Sequence, residues 1–404
     1  MSNNVSKIVS EIISSVRQNG NQAVFEYTNK LDYILLNEDS IRFSKEEIEQ
    51  GYNDTPKELI SALEKAYERV VGYNKRQLPE NNIEKDSDGF NTGWNWYPIN
   101  SVGIYVPGGL ASYPSTVIMT APIAKAAGVK DITITMPCPG GQYNKTVLAA
   151  CKICGIEKIY KIGGAQAIAA LAYGTETINP VDKIVGPGNA FVAEAKRQVY
   201  GQVGIDSIAG PSEILIIADN SANPEYIAYD LLSQAEHDPL ARSILVTDSE
   251  VLKNKVTKRI EEILPTLSRK EITQKSWQDN GIIEVMDLKT DAVEFANKIA
   301  PEHMEVITQD NDYFAKHITT AGAIFLGSYA TEPVGDYIAG PSHVLPTSGT
   351  ARFSSGLSVY DFLRRSSIIE CNEAAFNNIA DATIALAENE GLECHAMACK
   401  VRKK

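Results

Sequence analysis

The stretch Ser101-Val-Gly-Ile-Tyr-Val-Pro-Gly-Gly109 decides the fold. Val102–Val106 is a short apolar run that stops at Pro107-Gly-Gly109, and a helical stretch to Ala127 follows. The same unit then recurs. Asp131–Met136 precedes Pro137-Cys-Pro-Gly-Gly141 and a helix, and Lys158–Ile162 precedes Gly163-Gly164 and the helix Ala165–Ala172. Lys183–Val185 precedes Gly186-Pro-Gly-Asn189 and a helix to Tyr200. Strands alternating with helical segments of about ten to fifteen residues predict βαβ units and a parallel sheet.

A second series follows, with strand candidates at Glu213–Ala218, Ser243–Thr247, Gly281–Met286, Met304–Thr308 and Gly322–Leu326. Residues 4 to about 95 read as mostly helical, with apolar positions at helical spacing in Val5-Ile8-Val9-Ile12-Ile13-Val16 and in Leu59-Leu63-Ala66-Val70. Leu78–Gly93 is polar and reads as a loop. The passage from Gly327 to about Ser358 is rich in Gly, Ser and Thr and too long for an idle connection, which marks it as a functional loop. From Asn372 the tail reads as helical, interrupted at Gly391.

Composition narrows the function. A formal net charge of −13 argues against a nucleic-acid or anionic-membrane surface. No apolar run approaches the length of a membrane span, and Met1-Ser-Asn-Asn-Val-Ser-Lys7 lacks the basic and apolar parts of a secretory signal. These features predict a cytoplasmic protein. The six cysteines offer no disulfide framework for a chain of this size. Cys151-Lys-Ile-Cys154 has no second pair to complete a zinc site and reads as packing.

Four of the five histidines stand beside carboxylates or amides. His237 lies in Gln234-Ala-Glu-His-Asp238, His303 in Pro301-Glu-His-Met304, His343 in Gly335-Asp-Tyr-Ile-Ala-Gly-Pro-Ser-His343, and His395 in Glu390-Gly-Leu-Glu-Cys-His395. Such side chains bind divalent metals and move protons, so the pattern predicts an enzyme with one metal-assisted site. His317 has only Lys316 and apolar neighbours and reads as a surface helix position.

Each motif also has a plainer reading. Gln234 and His237, three apart on a helix, make half a metal site or a helix terminus satisfying its own carbonyls. Asp336 and His395 are candidates for the other half, although Asp336 also suits a turn. Glu302-His303 at a strand start is an acid beside a base, or a surface Glu beside a half-buried His. Ser212 in Ala209-Gly-Pro-Ser-Glu213 can present a hydroxyl to a ligand or simply close a turn. The strand–Gly–helix turns at Tyr105, Gly163-Gly-Ala-Gln166 and Gly186-Pro-Gly-Asn189 suit phosphates in architecture, but none is G-x-G-x-x-G.

Together these blocks resemble the histidinol dehydrogenase family over nearly the whole chain. The resemblance is densest at Val102–Gly109, Gly163–Ala169, Val185–Asn189, Ala209–Glu213, Ser233–Asp238, Ala300–His303, Gly335–Tyr337, His343–Thr347 and Glu390–His395. It implies one Zn2+ per site on Gln234, His237, Asp336 and His395. It implies substrate contacts from Ser212, His343 and Glu390 as well as from His303 and the metal ligands. NAD+ contacts are implied for Tyr105, Gln166 and Asn189, and proton transfer for Glu302 and His303. The implied fold is α/β, with two incomplete Rossmann-like parallel-sheet domains, a helical N-terminal segment and a small helical C-terminal tail. The boundaries are 1–104 with 207–356 for the metal and catalytic domain, 105–206 for the NAD side, and 357–404 for a tail exchanged in a homodimer. Ser342 stands where the family more often has Asn, and the N-terminal end is somewhat short.

The implied reaction is zinc-dependent oxidation of L-histidinol to L-histidine through a bound aldehyde with two NAD+, in histidine biosynthesis. Three rivals remain at this point. A same-fold dehydrogenase of another amino alcohol or diol fits less well with His343 and Glu390. A zinc hydrolase leaves the strand–Gly–helix turns without a purpose, and a non-catalytic metal binder leaves Glu302-His303 unexplained.

Overall fold

The computed structural model describes residues 3–108 and 113–403. Gly109, which ends the turn quoted above, lies outside them. The chain divides into two compact units, Met1–Gln77 with Asn100–Asp361, and Leu78–Ile99 with Phe362–Lys404.

Among the described residues the strands are β1 Asn82–Lys85, β2 Asn91–Pro98, β3 Ser101–Tyr105, β4 Asp131–Thr135, β5 Lys158–Tyr160, β6 Lys183–Val185 and β7 Gly204–Ile205. They continue as β8 Glu213–Ala218, β9 Arg242–Thr247, β10 Gly281–Val285, β11 His303–Ile307, β12 Ala323–Leu326 and β13 Leu363–Glu370.

The first unit holds two five-stranded parallel sheets, ordered β5-β4-β3-β6-β7 and β10-β9-β8-β11-β12. The α/β class is as the sequence predicts. The central strands read as continuous apolar runs because helices cover both faces, and every residue of β8 is buried. In each sheet the chain moves outward on one side and then returns to the other. The order therefore reverses between β3 and β6, and between β8 and β11. The N-terminal helix Asn3–Asp32 buries Val9, Ile12, Ile13 and Val16 against the helix Gly164–Tyr173 of the first sheet. It kinks at Gly20 (φ 52°), where the Glu176 carboxylate accepts the Asn21 N–H at 2.7 Å. A Cβ at Gly20 would lie 2.4 Å from that carboxylate, so the kink needs a glycine.

The second unit corrects one expectation. Leu78–Gly93, read as a loop, contains β1 and the start of β2, which join β13 in a three-stranded antiparallel sheet. Its strands are half-exposed and Asn82–Lys85 carries a single apolar residue, so no alternation announces them. The helices Glu373–Asn389 and Glu393–Lys400 follow, separated by Gly391 at φ 71°, as expected.

Candidate functional site

Glu302 and His303 are both buried, at 6% and 3% exposure, which rules out the surface reading of Glu302. His303 opens β11 between two neighbours, paired with Ile214 of β8 and Ala323 of β12. One backbone unit holds both side chains. The Glu213 N–H donates to Glu302 Oε2 at 3.0 Å, and the Glu213 carbonyl lies 3.2 Å from His303 Nδ1. Gln234 Oε1 is also 3.2 Å from Nδ1. Two oxygens at one ring nitrogen require a proton there, which makes Nδ1 the donor and directs Nε2 away from them.

His303 Nε2 meets Asp336 Oδ1 at 3.4 Å, and Glu302 Oε2 is 3.9 Å from Nδ1. Asp336 comes from the short helix Glu332–Tyr337, in the Gly-rich passage singled out above. Glu332, on the same helix face by its four-residue spacing, is 2% exposed and reaches to 3.8 Å from His237 Nε2. His237 follows the helix Pro224–Ala235, just beyond its Glu236 C-cap rather than within it, while Gln234 is inside the helix and fully buried.

The electrostatics follow from crowding. Burial pushes the Glu302 carboxyl up to about 7 and Glu332 up to about 8, despite the nearby His303. Burial alone would pull His303 down, but the Glu302, Glu332 and Asp336 carboxylates around it raise it to about 10. Asp336 has the opposite outcome: burial opposes its ionisation, yet the His303 hydrogen bond holds it below the usual range. Burial pulls the His343 imidazole down.

His303, Glu332 and Asp336 offer ligand atoms that all lie within 4.8 Å of one another. Among the described residues Gln234 Nε2, Glu332 Oε2 and His343 Nε2 are buried with no hydrogen-bond partner, and His303 Nε2 has only the Asp336 carboxylate beside it at 3.4 Å. Buried polar atoms are rarely left unmet, and this nitrogen and oxygen donor set suits a borderline divalent cation. Glu332 was missed in the sequence because Thr331-Glu-Pro333 looks like an ordinary helix start; its spacing to Asp336 was the available signal. Glu390 and His395 belong to the second unit, where both are exposed.

The turns after the first sheet form a separate cluster. The Tyr105 hydroxyl, buried and pushed up to about 12 by burial, accepts the Gly164 N–H at 3.1 Å. Gln166 is 1% exposed and its Oε1 has no partner. Asn189 caps the helix Ala190–Val199 by accepting the Phe191 and Val192 N–H groups. At Gly186 (φ 113°) a Cβ would stand 2.2 Å from the Tyr105 carbonyl, so only glycine lets the two strand ends approach. A cavity of about 350 Å³ lies at these ends, bordered by Pro107, Gly108, Met136, Pro137 and Tyr143. The orphaned amide and the close glycines fit a phosphate-bearing cofactor.

A larger cavity of about 550 Å³ is lined by Tyr113, Pro114, Ile118 and Asn144 from the first sheet's loops and helices, and by His237 and Tyr337 beside the second sheet. Ser212 is half-buried just before β8. Ser342, the departure noted above, is buried; its hydroxyl donates to the Met119 carbonyl at 2.7 Å and accepts the Val344 N–H. It thus ties the loop bearing His343 to the first sheet's side.

The sequence profile described as histidinol dehydrogenase matches residues 1–403. The chain is 51% identical over 398 residues to histidinol dehydrogenase 1 of Nostoc sp., covering 98% of this chain and 92% of that protein. It is 51% identical over 399 residues to the histidinol dehydrogenase of Clostridium acetobutylicum, with the same coverages. Among solved structures, the histidinol dehydrogenase of Elizabethkingia anophelis superposes with a TM-score of 0.96 at 36% identity, covering 100% of this chain and 93% of that one. Profile, relatives and superposition coincide over the full set of elements described above, and the chain belongs to the histidinol dehydrogenase family of oxidoreductases.

Proposed function

We propose that this enzyme oxidises L-histidinol to L-histidine through a retained aldehyde, using two NAD+ and one Zn2+ per site, as a step of histidine biosynthesis. The observation that carries this reading is the buried Glu302-His303 pair, held by Glu213 beside Asp336 and a set of orphaned nitrogen and oxygen atoms.

Gln234, His237, Asp336 and His395 would hold the zinc, which would supply a Lewis acid to the amino alcohol. Tyr105, Gln166 and Asn189 would hold NAD+, which would supply the hydride acceptor. The rest falls to the side chains. With Nδ1 donating to the Glu213 carbonyl and to Gln234, His303 turns Nε2 toward Asp336, and in its neutral form that nitrogen would take the hydroxyl proton as the first hydride leaves. Glu302, whose carboxyl is poised near neutrality by burial, then takes a proton from the water that adds to the aldehyde. As water adds, protonated His303 would return its proton to the former carbonyl oxygen, and it would accept a hydroxyl proton again as the hydrate gives up the second hydride to a fresh NAD+. Ser212, His343 and Glu390 orient the substrate. In this scheme residues 105–206 form the NAD side, residues 1–104 with 207–356 carry the chemistry, and 357–404 deliver His395 and Glu390 across a homodimer.

No described helix is long and apolar enough to cross a membrane, and all six cysteines are free, which suits the reducing cytoplasm. The deciding measurement is NADH release from histidinol by the zinc-loaded enzyme. Two NADH per histidinol consumed support the reading, whereas one NADH with free aldehyde, or none, sinks it.

A further inference from the structure

Behind the site lies a second set of buried acids that the proposed chemistry does not use. Glu305 is on β11 two residues beyond His303, and so on the same face of the strand. It is 1% exposed, and its Oε1 accepts the backbone N–H of Glu332 at 2.7 Å. On the helix Pro224–Ala235, Asp230 Oδ1 accepts the Thr331 hydroxyl at 2.6 Å. Thr331 is the N-cap and Glu332 the first residue of the short helix that carries Asp336.

These bonds join three elements, each of which also brings residues to the site. The helix Pro224–Ala235 bears Gln234 and leads to His237, β11 bears His303, and the short helix bears Glu332 and Asp336. Six residues of helix cannot hold their own conformation, so their place must be set from outside. The far side of this helix is fixed by contact: a Cβ at Gly335 would lie 2.5 Å from the Phe325 ring of β12. Its near end is fixed only where Glu305 and Asp230 grip it, among the described bonds.

We propose that Glu305 and Asp230 are positioning residues, a clamp that seats the short helix so that Asp336 can reach the metal and Glu332 stands beside its ligand His237. This rests on the metal reading above. The remaining oxygen of Glu305 is buried with no hydrogen-bond partner among the described residues, so Oε1 alone carries its bond to the short helix. A glutamine at 305 keeps that bond, since its amide oxygen accepts the Glu332 N–H as the carboxylate does.

The test uses the purified full chain, with Zn2+ affinity measured by competition against a chromophoric chelator. The Co2+ absorption spectrum reports ligand geometry, and NAD+ binding by calorimetry serves as a control remote from the clamp. Loss of such outer partners weakens metal binding about 10–100-fold, which is the expected effect of Glu305→Ala, with an altered Co2+ spectrum and unchanged NAD+ binding. Glu305→Gln should retain near-parental affinity and spectrum. Parental metal binding in Glu305→Ala overturns the proposal, as does a Glu305→Gln variant as defective as alanine. Should Glu305→Ala not fold, Thr331→Val removes only a half-buried hydroxyl, and there weaker Zn2+ binding supports the clamp and parental binding overturns it. A parent chain that binds no Zn2+ sinks the metal reading, and the clamp with it.

Discussion

Glu302 and His303 are governed by a single residue of the neighbouring strand, Glu213, whose N–H fixes the acid at 3.0 Å and whose carbonyl fixes the base at 3.2 Å. The parallel ladder between β8 and β11 thereby sets the carboxyl and the imidazole in one register. A base locked by backbone loses little reorganisation energy when charge moves.

Glu302→Gln should separate the two oxidations. The amide oxygen still accepts the Glu213 N–H, so folding and the first hydride transfer persist, while water activation is lost. Removal of a general base costs on the order of 10²–10⁴ in rate. Single-turnover stopped flow should show one rapid NADH and a delayed second. Loss of the first NADH, with oxidation of supplied aldehyde intact, would reverse the roles of the pair.

Metal-free protein should lose stability as pH rises from 7 to 9. Glu332 and His303 have raised values, about 8 and about 10, so each contributes stability below its unfolded value that is lost as pH climbs through the folded one. The raised carboxyl of Glu305 acts in the same direction. Burial lowers His237 and His343, so both are already neutral throughout this range. Zinc loading holds the ligands deprotonated and should flatten the decline. Melting temperatures with and without chelator check this, and a chelated sample that gains stability toward pH 9 would refute it.

Lys196 and Asp206 form a buried ion pair, 3% and 4% exposed, around the Gly186 turn. Asp206 accepts the Gly186 N–H at 2.7 Å, and Lys196 donates to the Gly186 carbonyl at 3.0 Å. Lys196→Met strands a buried carboxylate, which typically costs about 3–5 kcal/mol. Urea denaturation should register that loss together with weaker NAD+ binding. An unchanged midpoint would show that Asp206 is satisfied by backbone alone.

If His395 reaches the partner's site, two inactive variants should rescue each other. Co-refolded His237→Ala and His395→Ala chains would give mixed dimers with one doubly defective and one intact site. Random mixing then leaves roughly a quarter of all sites active by the arithmetic of a two-fold dimer. No recovery would mean that each tail serves its own subunit.

Much of this architecture is legible in the chain because a parallel strand covered on both faces is a continuous apolar run, and Gly follows shortly after its end, as Gly108 after Tyr105 and Gly163 after Tyr160. The histidine motifs could likewise be read, since an imidazole beside an acid or amide is conspicuous in a chain with only five. Glu305 escaped because one acid inside Met304–Ile307 looks like a solvent-facing strand position, whereas its carboxyl turns inward to a backbone N–H. β7 has two residues and Asn82–Lys85 no apolar rhythm, so neither produces a periodic signal. Short elements whose place is set by distant partners leave no local pattern.

The larger cavity has a polarity that precedes any side chain. On the first sheet's side it meets helix beginnings, at Pro114 and at Asn144, the N-cap of Lys145–Ile153. On the other side it meets a helix end, at Glu236 and His237 after Pro224–Ala235, and a helix start, at Arg269 before Lys270–Asn280. Helix starts carry partial positive charge and helix ends partial negative charge. Backbone charge is therefore positive near Asn144 and Arg269 and negative near Glu236, so its sign alternates around the cavity wall and any guest would meet that pattern before it met a single side chain.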